Sequence, residues 1–285
     1  MTTLLVGFDS AWTPSNLGGL VGVLRADDGS YHELGPPENV KYPEAESRIL
    51  KWQAEREPTS TVLLLDQPTI VKNATGQRPV EGIVGSPVGR RYGGMLPANT
   101  SKTEMFGDGA PVWVFLDRFG GPADPLGPVV STRVFETYPV LTMIALDWML
   151  PDSQRPTGRL PKYNPAHGRE FSIDDWRHVC GETALALREF GLTDTPAWID
   201  EIHGLTKPTK ADQDGLDACL CLLVALHMAE RKECLMVGEM ETGYIVVPYG
   251  TELAEELGQR CTKTDRAPSD WVRPFRLQMG TLGTP

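Results

Sequence analysis

The sequence predicts an α/β protein built on a mixed central sheet. Apolar runs suited to buried strands, Leu4-Leu5-Val6-Gly7-Phe8 and Val62-Leu63-Leu64-Leu65, are separated by segments of helical period. A tight-turn sequence, Asp27-Asp28-Gly29, joins two further strand-like segments into a hairpin. A hairpin followed by strand–helix–strand order combines antiparallel with parallel pairing.

Residues 3–9 read as a first strand, buried on both faces. Leu17 to Leu24 and Ser30 to Leu34 form the hairpin. Glu44 to Glu57 is helix-like, with Ile49, Leu50 and Trp52 as apolar positions, and Thr61 to Leu65 is a buried strand closed by Asp66-Gln67-Pro68. Residues 72–111 are rich in Gly, Pro and Arg and read as a long irregular segment, a feature usually tied to function. Val112 to Phe119 is a short apolar piece that the sequence does not assign to helix or strand, and Gly120 to Pro128 reads as a loop. Thr132 to Tyr138 is a strand, followed by a helix from Pro139, where proline suits the first turn. A loop over 151–169 precedes Ser172 and Asp175, which resemble a capping box opening a helix to about Phe190, closed by Gly191. Asp212 to Glu230 is a further helix, and Leu235 to Val237 and Tyr244 to Val247 are late strands. A short helix and a polar tail with Trp271 finish the chain. The expected organisation is one domain over residues 1–250, with insertions at about 72–128 and 151–169, and a tail over 251–285 packing on it.

With 285 residues, 40% hydrophobic and 23% charged, the composition is that of a soluble globular protein. There is no apolar run approaching roughly 18 residues, and the first residues lack the pattern of a signal peptide. The five cysteines have no paired spacing, and Cys219 and Cys221 lie in an apolar helix, which favours a reducing, cytoplasmic setting. The net charge of −11 disfavours a tight, nonspecific nucleic-acid binder, so any such contact is expected to be local.

The chemistry lies in carboxylates placed where carboxylates are costly. Asp9 and Asp66 each end an apolar run, Glu136 sits within Arg133-Val134-Phe135-Glu136-Thr137-Tyr138-Pro139, and Asp214 and Asp217 open an apolar helix. Buried acids must be protonated, paired or bound to a cation, and several converging acids form a site for a hard cation. Two divalent ions about 4 Å apart can activate a water and stabilise a leaving oxygen in phosphodiester hydrolysis. Asp217 falls in line with Leu220, Cys221, Val224 and Met228 and so faces inward, whereas Asp212 suits the helix N-terminus. The plainer readings are a turn cap for Asp9, a strand-ending turn for Asp66 and an ion pair with an arginine such as Arg133 for Glu136.

Together Gly7-Phe8-Asp9-Ser10, Leu64-Leu65-Asp66-Gln67-Pro68, Phe135-Glu136-Thr137-Tyr138-Pro139 and Asp214-Gly215-Leu216-Asp217-Ala218 resemble a domain family of unknown function described as a predicted RNase H-like nuclease. Arg78-Pro79-Val80-Glu81 and Pro161-Lys162-Tyr163-Asn164-Pro165 are similar to that family too, and the resemblance runs from about residue 3 to 247. It implies an RNase H-like mixed five-stranded sheet flanked by helices, the first three strands antiparallel, with long irregular loop insertions. The helix motif is also similar to that of Holliday-junction resolvases.

The expectation is therefore a magnesium- or manganese-dependent phosphodiester hydrolase, with Asp9, Asp66, Glu136 and Asp217 as metal ligands. Asp214 is a further ligand or positions the attacking water. Arg78, Arg90, Arg91 and Lys162 are candidates to grip substrate phosphates, with Lys162 preferred because it lies in the family-like segment. Two alternatives stand beside this: a non-catalytic scaffold with a structural cation, and an actin-like phosphotransferase. Asp9-Ser10-Ala11-Trp12-Thr13 is loosely like the first phosphate loop of the latter, but the chain lacks a second loop and the length for two such domains. The five histidines are scattered and suggest no competing site.

Overall fold

A computed structural model describes residues 1–10, 12–129 and 131–279. The chain begins with β1 (Thr3–Asp9), β2 (Gly18–Arg25), β3 (Tyr31–Glu33) and β4 (Glu38–Val40), then α1 (Tyr42–Arg56) and β5 (Ser60–Leu65). Next come α2 (Pro79–Arg90), α3 (Thr103–Phe106), α4 (Pro111–Arg118), β6 (Pro128–Val129) and β7 (Thr132–Glu136). Helix α5 (Pro139–Ala145) and a 3-10 turn (Pro165–Glu170) lead to α6 (Ile173–Glu189), α7 (Asp194–His203) and α8 (Lys210–Ala229). The chain closes with β8 (Cys234–Glu239), β9 (Gly243–Pro248), α9 (Thr251–Thr262), α10 (Pro268–Trp271), β10 (Val272–Phe275) and β11 (Gln278–Met279).

The central sheet has six strands, in the order β3-β2-β1-β5-β7, with β4 pairing the other end of β2. Strand β1 runs antiparallel to β2 and parallel to β5, and β5 runs parallel to β7. The sheet is covered on both sides, as the unbroken apolar runs require. Leu4, Val6 and Phe8 of β1 pack with Ile49, Trp52 and Phe115 from α1 and α4. Leu5, Val62, Leu64 and Phe135 join the core on the other side, formed largely by α8, α6 and α2. Two glycines let α8 lie close against the sheet. A Cβ on Gly7 would stand 2.1 Å from the carbonyl oxygen of Ala218, and one on Gly19 would stand 2.0 Å from that of Asp214.

Several expectations need correction. The sheet has six strands, because the short segment Glu38–Val40 adds to β2. The late strands β8 and β9, which the sequence assigns to no sheet, form a separate three-stranded sheet, ordered β10-β8-β9. Residues 72–111 are not wholly irregular, since they contain α2 and α3, and 112–119 falls mostly in α4. Gly82, Gly85, Pro87 and Gly89 obscure the helical period of α2, yet Val80, Ile83, Val84 and Val88 bury one stripe of it. Pro79 opens that helix, and the Glu81 carboxylate accepts the Arg78 backbone N–H at 2.9 Å. Helix α7 was not anticipated from the sequence.

In the C-terminal segment, α9 buries Leu253, Leu257 and Cys261 in the same core as α2. Residues 280–285 of the expected tail, and Ala11 of the phosphate-loop-like stretch, lie outside the described residues. All five cysteines are buried free thiols. No helix among the described residues is long and apolar enough to cross a membrane.

Candidate functional site

The parallel pairing of β1 with β5 sets Phe8 beside Leu65, and the Asp66 N–H donates to the Phe8 carbonyl at 2.9 Å. Asp9 and Asp66 therefore leave the carboxyl ends of adjacent strands side by side. Strand β7 continues the row, with Glu136 registered against Leu65. Helix α8, seated on Gly7 and Gly19, brings its first turns to the same edge. Thr209 and Asp212 cap that helix reciprocally, as expected of Asp212, so Asp214 and Asp217 are free to face inward.

Asp9, Asp66, Asp214 and Asp217 together line one open cavity of about 820 Å³. Asp9, Asp214 and Asp217 are each about 5–6% exposed. Burial, then repulsion from Asp66 and Asp217, holds the Asp9 carboxyl well above the usual carboxylate range. Asp66 is raised likewise by burial and then by Asp217. Asp217 is pushed up to about 7 by burial, with Asp214 adding to the effect and Lys210, Tyr163 and Gln213 opposing it.

The helix supplies each of its acids with a partner one turn earlier. Lys210 Nζ donates to Asp214 Oδ1, and Gln213 Nε2 donates to Asp217 Oδ2. Tyr163 Oη donates to the other Asp217 oxygen at 2.7 Å. Burial pulls the Lys210 ammonium down, but Asp9, Asp217 and Asp214 together hold it above its ordinary value. Trp12 Nε1 donates to the Asp66 carbonyl at 2.9 Å, fixing the loop after β1 against the end of β5.

The remaining expected residues separate. Glu136 stays outside the large cavity. Arg78 donates to both its oxygens, at 2.6 and 2.9 Å, and the Thr69 N–H adds a third bond at 2.9 Å. Its arginine partner is thus Arg78 and not Arg133, and as placed it is an ion-paired residue, not an open ligand. Arg78 itself is 1% exposed and also holds Glu81, so it cannot reach a phosphate in solvent. Arg91 is 3% exposed and grips Glu256 through two bonds. Arg90 is exposed at the end of α2 but lines none of the three cavities that meet at Asp66. Arg78 and Lys162 both line cavities that include Asp66, but of the two only Lys162 is exposed, in the adjoining cavity that includes Asp66 and Asp217.

Among the described residues no three His, Cys, Asp or Glu side chains are placed to hold a metal ion together. The four aspartates share a cavity and repel one another, with Lys210 and the Tyr163–Gln213 pair taking up part of their hydrogen-bonding capacity. Each carboxylate oxygen has two lone pairs, so these partners do not exhaust the oxygens as donors. Sequence reasoning missed Lys210, Gln213, Tyr163 and Asn164 as site residues. The i, i+4 spacing of Lys210 to Asp214 and of Gln213 to Asp217 was the readable signal.

No protein-family model matches the chain, and neither a curated protein nor a solved structure does.

Proposed function

We propose that this chain is a divalent-metal-dependent phosphodiesterase, a nuclease of RNase H-like fold, with Asp9, Asp66 and Asp217 as its metal ligands. Asp214 serves as a further ligand or positions the attacking water. The observation that carries this reading is the convergence of four aspartates from two strand ends and one helix on a single open cavity. The strand order supports the fold assignment: three antiparallel strands followed by two parallel ones, β3-β2-β1-β5-β7. So does the site's place at the carboxyl ends of the strands, where α/β proteins bind ligands.

The all-oxygen donor set suits magnesium or manganese. A bound ion would neutralise the mutual repulsion of these acids and supply an activated water at the phosphate. The chain's own groups do the rest. Tyr163 and Gln213 orient the Asp217 carboxylate, Lys210 balances the negative charge beside Asp214, and Lys162 offers a cation to substrate in the adjoining cavity. Glu136 acts at one remove, tying Arg78 and the backbone of Thr69 to the end of β7.

A second reading, a non-catalytic scaffold, draws on the Lys210–Asp214 pair and on the finding that, among the described residues, no three such side chains are placed to hold one ion. Manganese titration, anomalous diffraction from manganese-soaked crystals and hydrolysis of single-stranded and duplex oligonucleotides separate the two. The nuclease reading expects manganese between Asp9, Asp66 and Asp217, and hydrolysis lost in Asp66→Asn. Absence of both bound manganese and hydrolysis leaves the scaffold.

A further inference from the structure

The cavity that adjoins the aspartates is of different character. It encloses about 480 Å³, within the range of about 300–1,000 Å³ typical of small-molecule sites. Tyr92, Tyr138, Val140, Met143 and Leu160 give it aromatic and aliphatic walls, and Lys162, His167 and Glu170 add charged and polar groups. It is continuous with the acidic cavity, since Asp66, Asn164, Gln213 and Asp217 line both. Polar capacity gathers at that junction. Gln213 is 5% exposed, and its side-chain Oε1 is buried without a hydrogen-bond partner among the described residues.

Tyr92 adds an independent observation. It follows α2 with φ of 61°, a left-handed conformation that a bulky residue adopts only under constraint. Its ring lines the cavity, 46% exposed, and carries the Arg155 guanidinium 3.7 Å from its centroid. An aromatic ring is thus held at the cavity wall where glycine would be cheaper.

Resting on the phosphodiesterase reading, we propose that this cavity takes one unstacked nucleobase, whose attached phosphate lies toward Asp66 and Asp217. A flat, largely apolar ring with a few polar edges matches these walls, and stacking on tyrosine is tolerant of base identity. A base paired in a duplex cannot enter such a pocket without leaving its stack. The inference also accounts for the acidic balance of the chain. A protein with net charge −11 is poorly suited to tracking a long phosphate backbone, whereas a single pocketed base needs only local contacts, with Lys162 at hand.

Calorimetry on the full chain tests this. The probes are the four ribonucleoside 5′-monophosphates and ribose 5-phosphate in manganese, and the free nucleosides in chelator. At least one monophosphate is expected to bind tenfold or more tighter than ribose 5-phosphate, and its nucleoside to bind without metal. Val140→Trp, which fills the cavity, should bring that ratio to within threefold. Tyr92→Asn, which tolerates the left-handed backbone, should weaken nucleoside binding at least fivefold even if Val140→Trp proves unstable. Equal binding of every nucleotide and ribose 5-phosphate, with no nucleoside binding, overturns the proposal. Manganese binding without base preference overturns the pocket alone. Nucleoside binding without manganese binding overturns the metal reading and leaves the pocket standing. Competition by a single-stranded oligonucleotide assigns the base to a strand, and its absence assigns it to a free nucleotide.

Discussion

Arg78 holds both carboxylate oxygens of Glu136 in a bidentate pair at 2.6 and 2.9 Å, and both residues are buried. Its Nε also reaches Glu81 at 2.8 Å, so one guanidinium joins the start of α2 to the end of β7. In Glu136→Gln the guanidinium keeps Glu81 as its counter-ion and loses charge-assisted hydrogen bonds, at a cost of about 1.5–3 kcal/mol. Glu136→Gln is therefore expected to lower stability by that order in urea unfolding with chelator present. Its manganese affinity should stay within twofold of the parent chain. A tenfold loss of affinity would return Glu136 to the ligand set.

Lys210 is the cation that the aspartates hold in this structure, directly on Asp214 and with Asp9 and Asp217 nearby. A divalent ion and this ammonium act on the same carboxylates. Lys210→Met should therefore tighten manganese binding severalfold at low ionic strength, because a competing charge has gone. Its side chain is 52% exposed, so the stability lost should be about 1 kcal/mol or less. Weaker manganese binding in the variant would instead place Lys210 among the groups that assemble the site.

What the sequence revealed and what it hid have physical causes. Asp9, Asp66 and Asp217 were legible because a charged residue at the end of an apolar run, or on a buried helical stripe, breaks a strong pattern. The strands β1, β2, β5 and β7 were legible for the same reason. Arg78 misled as a candidate to grip phosphate because an arginine amid glycines and prolines looks available to a ligand, and its partner Glu136 lies 58 residues away. Helix α2 was hidden by Gly82, Gly85, Pro87 and Gly89, whose low propensity is overridden by burial of Val80 to Val88. Tyr163 sat in a noted segment, but no local pattern could reveal that its hydroxyl reaches Asp217.

Gly19 tests whether the close seating of α8 positions the acids. An added Cβ there would meet the Asp214 carbonyl oxygen at 2.0 Å and the following backbone nitrogen at 2.8 Å, neither of which can swing aside. Gly19→Ala must push the first turns of α8 away from β2, and overpacking of this kind costs typically 1–3 kcal/mol or more. Reduced stability together with weakened manganese binding is expected. Gly85→Ala is the control, because nothing lies within 4 Å of its added Cβ. In the interior of α2 that change should stabilise by about 0.5–1 kcal/mol. Unchanged manganese affinity in a destabilised Gly19→Ala would detach helix seating from the site.

Asp217 shares the pH dependence with Asp9 and Asp66, which are raised with it. Its carboxyl is raised from 3.8 to about 7, with burial as the leading cause. The folded chain thus holds this proton more tightly than the unfolded chain does. Its contribution to stability is present in full below about pH 4 and is lost as the pH rises toward 7. Asp217→Asn removes that titration while keeping an amide that can still accept from Tyr163. The stability of the parent chain relative to Asp217→Asn should therefore fall between about pH 4 and pH 7, by up to roughly 4 kcal/mol. Melting temperatures of the two proteins, measured in chelator across that window, read the difference, which includes the relief that loss of the Asp217 charge gives to Asp9 and Asp66. Manganese added near pH 7.5 should raise the melting temperature of the parent chain and leave that of Asp217→Asn nearly unchanged, because the ion replaces the lost proton on the carboxylate. A difference that stays flat across the window would mean that Asp217 titrates as an ordinary carboxylate and that the cluster carries no stored repulsion for a cation to relieve.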